Sequence, residues 1–133
     1  MVPCNVILNH LSARDPQNLY ERLNPVHGAA FDEGGDRASK CMPSTRVDVI
    51  ERIKKWAKGE REAPKDPICW VNAAAGLGKS AIARTIAEWC AEKGILGSSY
   101  FFLRGLGDRS KIASLVPTLA YLSHPLNASL RRS

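Results

Sequence analysis

The run Ala73-Ala74-Ala75-Gly76-Leu77-Gly78-Lys79-Ser80 constrains this chain more than any other feature. It follows the phosphate-loop pattern G-x-x-x-x-G-K-S/T at every position but the first, where Ala73 stands in place of glycine. Ahead of it lies Ile68-Cys69-Trp70-Val71, an apolar and partly β-branched run that reads as a strand. Behind it, Ser80 to Lys93 carries Ile82, Ile86, Trp89 and Cys90 at helical spacing, and Gly94 supplies a stop. Strand, glycine loop and helix in that order are the context the pattern requires.

The chemistry explains the residue types. Backbone N–H groups must converge on phosphate oxygens, so Gly76 and Gly78 leave room and permit unusual backbone angles. The first turn of the next helix turns its unpaired N–H groups and its dipole toward the same anion. Residues Ala73, Ala74, Ala75, Gly76, Leu77, Gly78, Lys79, Ser80 and Ala81 are therefore the expected phosphate cradle. Lys79 brings positive charge to the terminal phosphates, and the Ser80 hydroxyl is placed to ligate Mg²⁺ bound to them. Alanine at position 73 is tolerated if its φ is negative. The expected ligand is ATP or GTP with Mg²⁺.

Composition removes several other classes. Hydrophobic residues make up 44% and charged residues 24% of the 133, values of a globular chain. No apolar run reaches the roughly 18 residues of a membrane span, and residues 1–8 lack the basic start of a signal peptide. No membrane partner and a cytoplasmic location are expected. Cys4, Cys41, Cys69 and Cys90 show no ligand spacing and are read as reduced, mostly buried thiols. His10, His27 and His124 are isolated. Up to Asp66 eleven basic residues face ten acidic, whereas from Pro67 eight face three, so most of the net charge of +6 lies in the half that carries the loop. No basic stripe interleaved with aromatics points to nucleic acid.

Periodicity organises the remainder. A short helix is expected within 12–23, and 24–44, with Gly34-Gly35-Asp36, reads as loop. Val47, Ile50, Ile53, Trp56 and Ala57 mark one face of a helix capped by Ser44 or Thr45 and stopped at Gly59. Residues 60–67, with Pro64 and Pro67, read as a polar connector. Ser98 to Leu103 reads as a second buried strand. A turn near Gly105 to Asp108 leads to a helix over about 110–122, with Ile112, Leu115, Val116, Leu119 and Leu122 on its apolar face. Pro117 should kink that helix or start it anew.

Several segments together resemble the N-terminal nucleotide-binding region of fungal NACHT-type and nephrocystin-like signalling NTPases of the STAND class. They are Asn24-Pro25-Val26-His27-Gly28-Ala29-Ala30-Phe31-Asp32, Ser44-Thr45-Arg46 with Ile50, Ile53 and Trp56, Gly76 to Ala87, Leu96 to Arg104, and Val116 to Tyr121. The resemblance implies an α/β fold, a partial P-loop NTPase core with a parallel sheet in three layers. Residues 1–43 would form a helical and loop extension, and 44–133 a partial NACHT-like domain. It also implies that Thr45 and Arg46 lie on the base side of the nucleotide, and that the protein partner is another copy or a related NACHT protein. The family usually has glycine at the positions of Ala73 and Ser44, and Gln-Leu after Ala120-Tyr121. Its acidic Walker B strand, which holds Mg²⁺, has no counterpart after Arg104, so the sheet is expected to be incomplete and hydrolysis by this chain alone is not expected. A non-catalytic remnant that pairs with a full-length relative, and a fragment of a P-loop small-molecule kinase, are the alternatives.

Overall fold

The computed structural model describes residues 16–33, 40–41, 44–60, 66–105 and 107–124. Cys4, His10, Gly34-Gly35-Asp36, Pro64 and the tail from Pro125 lie outside these, as does the start of the expected helix over 12–23. Four α-helices run along the described chain: α1 Pro16–Leu23, α2 Val47–Ala57, α3 Lys79–Glu92 and α4 Leu115–Ser123. The described residues fall into two compact units, one drawn from the chain up to Glu33 and from Gly97 on, the other from the stretch between. No described helix is long and apolar enough to cross a membrane.

In the unit that holds the glycine loop, α2 packs on α3. Their facing sides bury Ile50 from α2 and Ile82, Ala87 and Cys90 from α3. Ile86 and Trp89 are half-buried, and the ammonium groups of Lys54 and Lys58 lie 5.6 and 5.7 Å from the Trp89 ring centroid. Cations over an indole face are attracted by its quadrupole. Both helices stop where their glycines predict. Gly59 takes φ 66, with Gly59 N–H donating to Trp56 O and Glu60 N–H to Lys55 O. Gly94 repeats this at φ 69, with Gly94 N–H on Ala91 O and Ile95 N–H on Cys90 O. This paired bonding satisfies carbonyls that the last turn would otherwise leave open.

The start of α2 differs from expectation. Its N-cap is Arg46 at φ 58, with no side-chain capping bond, rather than Ser44 or Thr45. Val47, expected on the buried face, is exposed.

In the other unit, α1 ends at Asn24, whose N–H reaches Tyr20 O at 2.8 Å and whose φ of 43 suits a side chain tolerant of left-handed backbone. The following loop is held by α4 and by residues 99–101. Val26 N–H donates to Thr118 Oγ1 at 3.0 Å, Phe31 N–H to Ser99 Oγ at 3.0 Å, and Phe101 N–H to Ala29 O at 2.8 Å. Tyr20 and Tyr121 meet edge to face at 5.6 Å. Two 3-10 turns, Gly107–Ser110 and Ile112–Ser114, precede α4. Pro117 falls in the first turn of α4, where a missing N–H costs nothing. Ile112 and Val116, expected on the apolar face, are 72% and 70% exposed; Leu122 is buried as expected, and Thr118, which was not expected there, is buried with it.

The expected parallel sheet is not found. About half of the described residues are helical and none is strand, which overturns the α/β, three-layer P-loop fold. Ile68 to Val71 is irregular chain with Ile68 74% and Trp70 84% exposed. In Ser98 to Leu103 the backbone bonds go to a loop and a turn: Phe101 N–H to Ala29 O, and Leu103 N–H to Arg109 O at 3.3 Å. Single bonds of this kind do not make a ladder, and apolar β-branched composition alone does not supply a neighbouring strand.

Thr118 is 1% exposed and its hydroxyl is the acceptor for Val26 N–H. Thr118→Val keeps the shape and strands that N–H, so it should lower stability by about 1–3 kcal/mol in urea unfolding, with Thr118→Ser closer to wild type. Equal stability of the Val and Ser variants would show that the bond contributes nothing.

Candidate functional site

The residues expected to cradle phosphate are brought together as one turn leading into α3. Gly76 and Gly78 have φ 81 and 80, in the left-handed region. A Cβ at either would meet nothing within 4 Å, so backbone angle and not crowding requires glycine there. Leu77 N–H closes the turn on Ala74 O at 3.4 Å, and Gly78 O accepts the first helical bond, from Ile82 N–H at 3.0 Å. The N–H groups of Lys79, Ser80 and Ala81 sit in the first turn of a 14-residue helix, where no carbonyl precedes them within the helix. Ala73 does not appear among the described non-glycine residues with positive φ, which are Asn24, Ser44 and Arg46. Alanine at that position is therefore unstrained.

Lys79 is tied to the loop itself. Its Nζ donates to Ala73 O at 2.7 Å and to Ala74 O at 2.8 Å. An ammonium has three donors and two are used here. The charge is half-buried and fixed beside the helix start, with one donor remaining among the described residues. Ser80 is exposed at the second position of α3.

Arg46 also comes to the loop. Its Nη2 donates to Leu77 O at 3.2 Å, a bond across 31 residues. Thr45, exposed, is its chain neighbour. The segment before them is anchored to α3: Lys40 pairs with Glu88, and Cys41 N–H donates to Thr85 Oγ1 at 3.2 Å. Thr85 in turn donates to Ala81 O at 2.9 Å. Lys40, Cys41, Thr85 and Glu88 carry no motif, and their pairing over more than 40 residues left no signal in the sequence.

Several other polar groups are engaged in pairs of their own. Glu51 accepts a hydrogen bond from the Lys54 ammonium at 2.9 Å, and that bond and the charge of Lys54 hold the carboxyl below its ordinary range. Asp108 pairs with Lys111 at 2.7 Å and raises the Lys111 ammonium above its usual value. Burial pushes the Cys90 thiol up, away from thiolate character. Tyr20 and His27 share a hydrogen bond. Among the described residues no group of three or more His, Cys, Asp or Glu is suited to hold a metal ion.

The model of the nephrocystin 3 N-terminal family matches residues 49–133, which include α2 from Val49 on, the whole loop, α3 and the segment 98–104. The chain belongs to that family. Residues 24–32 and 44–46, part of the resemblance in the sequence, lie before the matched region. No curated protein and no solved structure matches the chain.

The open space around Gly78 makes its substitution a test of backbone angle alone. Gly78→Ala should destabilise the chain by about 1–2 kcal/mol, the usual cost of a left-handed non-glycine residue. Thermal unfolding of the two forms measures it, and an unchanged midpoint would show that residue 78 does not hold the left-handed angle in solution.

Proposed function

We propose that this nephrocystin-like chain binds the phosphate chain of ATP or GTP at residues 73–81, as the nucleotide-responsive part of a NACHT-like signalling switch. The observation that carries the reading is the Lys79 ammonium, held by two loop carbonyls next to the unpaired N–H groups of the α3 start. A cation fixed by neutral carbonyls keeps its charge for an anion, and the helix dipole adds to it. Two left-handed glycines bring the backbone close enough for main-chain N–H groups to take part.

The residues present fit the phosphates and fit Mg²⁺ only through Ser80. When bound with the nucleotide, Mg²⁺ would offset phosphate charge, and Ser80 is the side chain to hold it. Glu88 lies nine residues beyond Lys79, about 14 Å along the helix, and is committed to Lys40. Glu92 lies one turn further. Neither acid of α3 is placed to hold a metal at the loop. Binding without turnover is therefore the activity proposed for this chain, with another copy or a related NACHT protein as the partner that reads the bound state.

Lys79→Ala should lower affinity for a fluorescent ATP or GTP analogue at least about tenfold while leaving the helical circular dichroism unchanged, the scale of a lost charge-assisted bond. Equal binding by both forms would refute the site. Ser80→Ala should chiefly reduce the gain in affinity that Mg²⁺ produces. For wild type at saturating MgATP or MgGTP, no phosphate release above background is expected. Release that Lys79→Ala abolishes would mean that an acid outside α3 serves the metal.

A further inference from the structure

The position of Arg46 has no explanation in helix capping. A left-handed, non-glycine residue costs about 1–2 kcal/mol, and here two occur within three residues, Ser44 at φ 71 and Arg46 at φ 58. Arg46 occupies the N-cap of α2 yet makes no capping bond with its side chain. Its guanidinium goes instead to Leu77 O, on the glycine loop. The anchors behind it, Lys40 on Glu88 and Cys41 on Thr85, fix the preceding chain along α3. Strain of this kind persists where surrounding contacts hold it, and it concentrates at functional segments.

The loop thus carries two cations on different carbonyls. Lys79 is bonded to Ala73 and Ala74, at one end of the turn closed by Leu77 N–H on Ala74 O, and Arg46 is bonded to Leu77 at the other. The ends of such a turn lie within about 7 Å of each other. One donor of the Arg46 fork is used by Leu77, and the side chain is exposed, so the rest of the fork faces solvent beside the loop. A guanidinium pairs two oxygens of a phosphoryl group at once, which an ammonium does not. A single phosphate is satisfied by Lys79 and the α3 amides. Each further phosphoryl group adds charge that needs a second cation across the turn.

We propose that Arg46 is that second cation, and that it sets a preference of the loop for polyphosphate chains over a single phosphate. This rests on the loop being an anion site. Arg46 then acts on the phosphate chain of the ligand rather than on its base.

The test uses the whole chain with inorganic phosphate, pyrophosphate and tripolyphosphate as probes, titrated calorimetrically at fixed ionic strength. Arg46→Gly removes the guanidinium and relieves the positive φ, so folding is retained, and circular dichroism verifies it. Wild type should bind tripolyphosphate at least about tenfold more tightly than phosphate. Arg46→Gly should lose about tenfold for tripolyphosphate and less than about twofold for phosphate, and Arg46→Lys should fall between, keeping charge without the fork. Equal losses for all three probes would mean that Arg46 only shapes the loop, and no loss would mean that it is a bystander. Either result overturns the proposal while leaving the loop reading intact, provided that Lys79→Ala still abolishes binding of every probe. Absence of binding by wild type to all three would overturn both.

Discussion

The bonds from the Lys79 ammonium to the carbonyls of Ala73 and Ala74 govern the shape of the glycine loop. Without a strand ladder behind it, the loop needs its own closure, and a charged donor on two carbonyls provides stronger bonds than neutral groups would. The turn bond from Leu77 to Ala74, the left-handed angles at Gly76 and Gly78, and the first helical bond from Ile82 accompany that closure. The helix behind the loop is stable for a separate reason: Ile82, Ala87 and Cys90 are buried where α2 packs on α3. A rigid helix start and a self-closed loop together hold main-chain donors and a positive charge in one place.

In this arrangement the glycine loop and the helix behind it are formed without the sheet that usually accompanies the motif. The pattern of glycines, lysine and serine spans about eight residues, so the proposed anion site would draw on main-chain N–H groups of the loop and the first helical turn. The supporting contacts come from elsewhere in the same unit. Lys40 and Cys41 bind α3, and Arg46 reaches Leu77, so the chain ahead of α2 borders the loop. The match to the nephrocystin 3 N-terminal family covers the loop, α3 and α2 from Val49 on, but not this bordering segment.

The other unit shows a different balance. Its buried residues are mostly small or polar, with Pro25, Ala29, Ala30 and Thr118 beside a single large apolar side chain, Leu122, and specific hydrogen bonds tie its segments together. Small side chains let the backbone of the 24–31 loop come close to α4 and to residues 99–101. A buried N–H in so small a core has little choice of acceptor, which is why the Thr118 hydroxyl matters beyond its volume.

Local features were legible in the sequence because their causes are local. The spacing of Ile50, Ile53 and Trp56, and of Ile82, Ile86 and Cys90, predicts α2 and α3, and Gly59 and Gly94 end them through bonds made within six residues. Pro117 marks a helix start for the same reason. The glycines of the loop and the negative φ that tolerates Ala73 are also local matters. The fate of Ile68 to Val71 and of Ser98 to Leu103 was not legible, since a strand exists only when a neighbour takes its hydrogen bonds, and apolar or aromatic side chains cannot supply that neighbour. The burial of Thr118 and exposure of Val116, and the reach of the Arg46 side chain from the N-cap of α2 to Leu77, were likewise decided by contacts across 92 and 31 residues. Such contacts depend on how separated segments meet, and only the tertiary structure carries that information.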